Sequence, residues 1–168
     1  AFPPPIDRGL NVSAMVTDHE GCPLRAFPVK DGRWRLAADL EQIDPAFIEA
    51  LIRIEDKRFY QHWGVDPVAI IRAITSAVRQ GEITSGASTI TMQTARLLEP
   101  RPRTIGSKLI ECFRAVQLEA RLSKDEILEL YLTLAPYGGN LEGTASAAFA
   151  YFGRSPQNLT PEELALLI

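Results

Sequence analysis

The chain has 168 residues, 46% of them hydrophobic and 23% charged, enough for one sizeable core and too short to need two. Lys plus Arg number 18 against 21 Asp plus Glu, a formal charge of -3, which argues against a nucleic-acid partner whose phosphates would have to be neutralised. Cys22 and Cys112 stand far apart without a CxxC spacing, so neither a zinc site nor a redox pair is signalled.

The opening AFPPPIDRGL is proline-rich and reads as a linker from a segment that has been cut away. Residues 11 to 36 alternate in character and are punctuated by DHEG and KDGR, turn signals for a short antiparallel hairpin or two. From Asp44 the pattern becomes helical. Asp44-Pro45 starts a helix to about Lys57, with an apolar stripe from Phe47 to Ile54, and Asp66-Pro67 starts VAIIRAITSAVRQ, which Gly81 closes. The stretch GASTITMQTARLL brings a hydroxyl-rich turn into a helix whose polar side carries Gln93 and Arg96.

PRPR then breaks the chain, and Thr104 caps a helix in which Ile105, Leu109, Cys112, Phe113 and Val116 make one apolar side. Ser123-Lys124-Asp125-Glu126 is a capping box opening EILELYLTLA, which Pro136 and the Gly138-Gly139 pair end. EGTASAAFAYFG is a small-residue helix closed by Gly153, and Thr160-Pro161 launches a last one within which the chain stops, as expected of a piece of a longer protein. The sum is a mainly α fold with a minor N-terminal β element. No internal repeat, no signal peptide and no apolar run long enough to span a bilayer is present in the sequence.

Charge is unevenly spread. Acids dominate from Asp39 to Asp56, and bases dominate from Arg96 to Lys124. Two solvated faces would account for this, and so would a cleft with a base on one wall and an anion clamp on the other. Glu55 is the candidate base, because it closes an apolar helix face, and withdrawal from water raises a carboxylate's affinity for protons. The alternative is a solvent-side helix-end acid. Lys108, Glu111 and Arg114 share a helical row, either an exposed ion-pair row or, with Arg96 and Arg103, a clamp for a diphosphate. Neither His19 nor His62 has a partner at metal-ligand spacing.

Taken together, EDKRFYQHWGVD, GASTITMQTARLL, RTIGSKLIE, SKDEILELYLT, AAFAYFG and NLTPEELALL resemble, in order and spacing, the successive motifs of the peptidoglycan glycosyltransferase domain of class A penicillin-binding proteins. The resemblance covers about residue 40 to the end, and LAPYGGNLEG is most similar to the C-type branch. It implies a lysozyme-like larger lobe and a smaller, membrane-dipping jaw lobe, the jaw falling roughly within residues 68 to 107 with LLEPRPRT as its flap. Residues 1–38 would be the linker and hairpin segment, and 39–168 the glycosyltransferase domain, truncated at its C-terminus.

The implied reaction polymerises lipid II. The acceptor's GlcNAc 4-hydroxyl attacks C1 of the donor's MurNAc with inversion, and undecaprenyl diphosphate departs. Glu55 matches the catalytic glutamate and Glu111 the second glutamate. Asp56, Ser88, Thr89, Gln93, Arg96, Arg103 and Lys108 fall among the substrate-binding positions. The resemblance implies a divalent cation such as Mg2+ beside the diphosphate and no organic cofactor. Implied partners are lipid II, the growing lipid-linked glycan, the membrane surface and other cell-wall synthesis proteins. The implied location is the outer face of the bacterial cytoplasmic membrane, with the transmembrane anchor absent from this chain.

Three positions depart from the pattern. Met92 replaces a glutamine, which would remove an amide from the cleft wall; Ser107 replaces an arginine, which would thin the cation cluster; and Thr133 replaces an asparagine in a motif expected to be structural along with Lys124, Glu129 and Tyr131. No SxxK nucleophile motif is present in this chain. Two other readings stay open: a lysozyme-like or lytic enzyme, and a non-catalytic membrane- or glycan-binding module with a degenerate site.

Overall fold

Helix starts are set by local chemistry. In the computed structural model, which describes residues 3–4, 6–7, 11–19, 23–80 and 88–168, the first long helix, α1 (Pro45–Glu55), begins where the Asp44 side chain accepts the Ala46 N–H and a proline occupies the first turn. Side-chain caps also open α2 (Pro67–Gln80), α3 (Ile90–Leu98), α4 (Ile105–Glu119), α5 (Lys124–Leu134) and α7 (Pro161–Leu166), the caps being Asp66, Thr89, Thr104, Ser123 and Thr160, with a proline following the cap in α2 and α7. Ser123 and Thr160 each form a full capping box with the glutamate three residues on. The small-residue helix α6 (Thr144–Phe152) ends at Gly153, whose φ of 67° is the left-handed stop the sequence implied. The expected closure of α2 at Gly81 lies outside the described residues, as do most of the proline-rich opening, part of the DHEG turn and Cys22.

The β element is small. Strands β1 (Ala14–Thr17) and β2 (Pro23–Phe27) form the expected antiparallel hairpin. The KDGR turn leads instead into β3 (Trp34–Arg35), which pairs in parallel with β4 (Leu141–Glu142). Arg35 is fully buried, its Nε donating to Glu142 at 2.7 Å and its Nη1 to the Asn11 carbonyl at 2.8 Å, so the N-terminal segment is stitched into the helical body. Removing one partner of such a pair would leave an uncompensated buried charge.

Helix α3 lies at the centre, packed against both α4 and α5. Ile90, Met92, Ala95 and Leu98 are buried with Phe47 and Leu51 of α1, Leu118 of α4 and Leu128 and Leu132 of α5. Thr91 and Thr94 are buried too, and satisfy their hydroxyls on Glu119 and on the Ile90 carbonyl. That leaves Gln93, Arg96 and Leu97 as the partly open side of α3. The loop after α1 reaches α4 through Gly64, at φ 80°, where an added Cβ would come within 2.8 Å of the Ala115 backbone.

The outward face of α4 is the reverse of an ordinary amphipathic helix. Its core side is Glu111, Ala115 and Leu118, whereas the apolar side read from the sequence faces out, Ile105 at 84%, Leu109 at 68% and Phe113 at 56% exposed. Val68 and Ile71 of α2 and Trp63 in the loop before it are also exposed. No helix among the described residues is long and apolar enough to cross a membrane.

Candidate active site

Glu55 is the last residue of α1, and its carboxylate turns toward α3, where Gln93 Nε2 donates to Oε2 at 2.7 Å. The next residue bends the other way. Asp56 is buried, its two oxygens lie 3.0 and 3.1 Å from His62 Nε2, and one of them also accepts the Ile90 N–H at 3.0 Å. Adjacent carboxylates thus have separate tasks: Glu55 opens on the cleft, and Asp56 fastens the end of α1 and its following loop to the start of α3.

A cavity of about 570 Å³ is lined by Glu55, Ser88, Gln93, Arg96, Arg103, Ser107, Lys108 and Glu111. It therefore gathers both glutamates and the three expected cations on one opening. Glu55, Gln93, Arg96 and Arg103 also border a second chamber of about 610 Å³, whose far wall holds Tyr131, Pro136 and Tyr137. On its other side Glu55 borders a third space of about 320 Å³ with Asp56, Ser88 and Thr89. The volumes suit extended ligands, and the lining mixes charged side chains with apolar ones such as Leu51 and Leu97.

The cations differ in what holds them. Lys108 Nζ donates to Ser88 Oγ at 2.7 Å and to Glu111 Oε2 at 3.0 Å, linking the turn before α3 to α4. Arg96 and Arg103 make no ion pair with a carboxylate among the described residues. Two guanidinium groups that face a cavity and are paired with no carboxylate form an arrangement that an anion completes. Arg114, expected to extend this row, is instead paired with Glu99 at 3.0 Å.

Thr89 and Asp56 are buried and border only the smallest of these three spaces. Thr89 is buried, donating to the Gly64 carbonyl and accepting the Met92 N–H at 3.1 Å. With Asp56 on the Ile90 N–H, the first donors of α3 already have protein partners. The Thr89 hydroxyl and one Asp56 oxygen are therefore engaged in capping α3. Met92 is 2% exposed, in the core; it removes nothing from the cleft wall, because its place in the helical turn points inward. Ser107 does line the cleft, hydrogen-bonded to Thr104 at 2.9 Å, so a cation is missing there in fact. Thr133 is structural, accepting the Ala38 N–H at 2.9 Å.

Sequence reasoning missed Tyr131. It appeared only as one member of a structural motif, yet its phenol lines the second chamber, where burial first and then the nearby Glu55 charge hold its pKa above the ordinary range, partly offset by Arg96. The available signal was its place between Leu128 and Leu132, where a polar tip on a buried face needs an opening. The rest of that motif does pack inside: Lys124 donates to Glu119 at 2.7 Å and lies 4.5 Å over the Phe59 ring.

Among the described residues no three of His, Cys, Asp and Glu are grouped to hold a metal ion. The Glu111 carboxylate already faces an ammonium group, so the donor set does not form a resident metal site.

Comparison with known proteins places these features in one context. The family model described as Transglycosylase matches residues 20–168, a match that begins before the about residue 40 from which the motifs alone were legible. The chain is 46% identical over 158 residues to penicillin-binding protein 1C of Escherichia coli K12, covering 94% of the chain and 20% of that protein. It is 46% identical over 135 residues to penicillin-binding protein 1A of the same organism, with 79% of the chain and 16% of the relative covered. Against penicillin-binding protein 1B of Haemophilus influenzae identity is 38% over 150 residues, 86% of the chain and 19% of the relative. The chain thus spans a fifth or less of the length of these relatives.

Proposed function

The chain belongs to the transglycosylase family, the glycosyltransferase domain of class A penicillin-binding proteins, and from that premise we propose that it polymerises lipid II into β-1,4-linked glycan. The observation that carries the reading is the cavity that Glu55 shares with two arginines, neither of which is ion-paired among the described residues.

In this reading the acceptor's GlcNAc 4-hydroxyl is placed beside Glu55. A neutral sugar hydroxyl is a weak nucleophile, so the Glu55 carboxylate takes its proton as the new C–O bond forms at C1 of the donor's MurNAc. The bond from C1 to the diphosphate oxygen breaks on the opposite face, the electron pair leaves with undecaprenyl diphosphate, and the anomeric centre inverts. The departing oxygens carry growing negative charge, which Arg96, Arg103 and Lys108 stabilise. Gln93 holds the Glu55 carboxylate in one orientation, and Glu111 holds Lys108. A divalent cation would travel with the substrate's diphosphate.

The exposed apolar side of α4, with Val68 and Ile71 of α2 and Trp63, supports a membrane surface as partner, since both substrates are lipids. Membership of the family supports a location on the outer face of the cytoplasmic membrane, beside other cell-wall synthesis proteins. Glycan cleavage is disfavoured by the cation cluster: glycosidases protonate an alkoxide leaving group and gain nothing from several bases around it. Incubation with lipid II and, separately, with finished glycan tests the assignment. Polymer from the first and intact glycan from the second are expected; fragments from the second without polymer from the first would replace transfer by cleavage.

A further inference from the structure

Five bases stand between Arg96 and Arg114, and carboxylates engage three of them. Glu111 holds Lys108. Glu99, the residue that ends α3, holds two: one oxygen accepts from the Arg101 guanidinium, and the other accepts from Arg114 Nε at 3.0 Å. Arg114 in turn donates to Gln117 at 2.8 Å, one turn along α4. Arg101 and Lys108 border the cavities while paired; Arg96 and Arg103 border them with no carboxylate partner among the described residues.

The placement of Arg103 depends on a short connection. Between the end of α3 and Thr104 lie Pro100, Arg101, Pro102 and Arg103, and two prolines deny this segment a regular backbone ladder. The segment forms a wall between the two larger chambers: Pro100 and Arg101 line one, and Arg103 lines both. Glu99 ties this wall down from two directions, to its own segment through Arg101 and across to α4 through Arg114. Without that carboxylate, two guanidinium groups would share one place with no charge between them, and the segment would move to separate them.

We propose that Glu99 is a positioning residue for the diphosphate site, pairing with Arg101 and Arg114 and so pinning the connection that keeps Arg103 on the cleft. This rests on the reading that the cleft takes a lipid diphosphate. Glu99 itself touches no substrate. Its effect passes through Arg103, and this separates it from a carboxylate that merely adds stability.

The test is a cycle of four proteins, the parent, Glu99→Gln, Arg103→Ala and the double variant, titrated calorimetrically with geranylgeranyl diphosphate. Glu99→Gln should raise Kd about 10-fold, and the same change in the Arg103→Ala background less than about 2-fold. Glu99→Asp, which keeps the charge on a shorter arm, should lie between parent and Glu99→Gln. In polymerisation assays with lipid II the Glu99→Gln loss should appear in KM more than in kcat. Independent losses in the two backgrounds, an unchanged or tighter Kd in Glu99→Gln, or no binding by the parent would each overturn the proposal. A parent that binds the diphosphate but makes no polymer removes the functional reading and leaves this inference standing; a polymerising parent with an indifferent Glu99→Gln removes this inference alone.

Discussion

The Gln93 amide and the Glu55 carboxylate meet at 2.7 Å, joining the end of one helix to the open side of another. Gln93 is the hydrogen-bond donor that aims the proposed base. Replacing Glu55 by Gln keeps shape and removes the proton acceptor. Polymerisation of lipid II should fall by about 10²- to 10⁴-fold, the range attributed to a positioned general base, while diphosphate binding and the melting temperature stay close to the parent's. Retained turnover in that variant would remove Glu55 from the role. Gln93→Leu should lower kcat by about 10-fold with little change in melting temperature, because the carboxylate stays and only its aim is lost.

Met92 and Ser107 make a contrasting pair. Both depart from the pattern the sequence resembles, but one is in the core and the other on the cleft. Met92→Gln should therefore destabilise the fold by about 1 to 3 kcal/mol, the cost of burying an amide without a prepared partner, and leave KM unchanged. Ser107→Arg should tighten diphosphate binding several-fold, about the gain from one further charge-assisted contact. Denaturant midpoints and calorimetry read the two effects separately, and a reversal of the pattern would contradict the burial of Met92.

The outward apolar side of α4 predicts binding to lipid surfaces. Leu109→Ser with Phe113→Ser removes two exposed side chains that support no core. Flotation with vesicles containing phosphatidylglycerol should show the parent rising with lipid and the double variant remaining behind, by about 10-fold in partitioning if each side chain buries about one CH₂ group. Equal flotation of both would direct attention to another surface.

At the start of α5, hydrogen bonds from the Ser123 backbone N–H and then the Ser123 hydroxyl hold the Glu126 carboxyl below its ordinary pKa of 4.5. A carboxyl with a depressed folded pKa adds stability that is present above the unfolded value and is lost as pH falls through the folded one. The parent should therefore melt above Glu126→Gln at neutral pH, and the gap should close on acidification below 4.5. Melting curves across that range check the sign, and a gap that widens in acid would contradict it.

What was legible in the sequence was written in neighbouring residues. The starts at Asp44-Pro45, Thr104, Ser123 and Thr160-Pro161 are local caps, and all of them hold. Gln93 and Arg96 share a face because helices repeat every 3.6 residues, and that face is the one α3 leaves partly open. What only the tertiary structure decided was which partner each face would meet. Periodicity could mark Ile105, Leu109 and Phe113 as one side of α4, but the choice between core and surface depended on packing by α3, which takes the opposite side. Met92 lies inside for the same reason. The sorting of the arginines required contacts across the fold: Glu99 meets Arg114 fifteen residues away, and until the chain folds nothing separates the guanidinium groups held by carboxylates from those left facing the cleft.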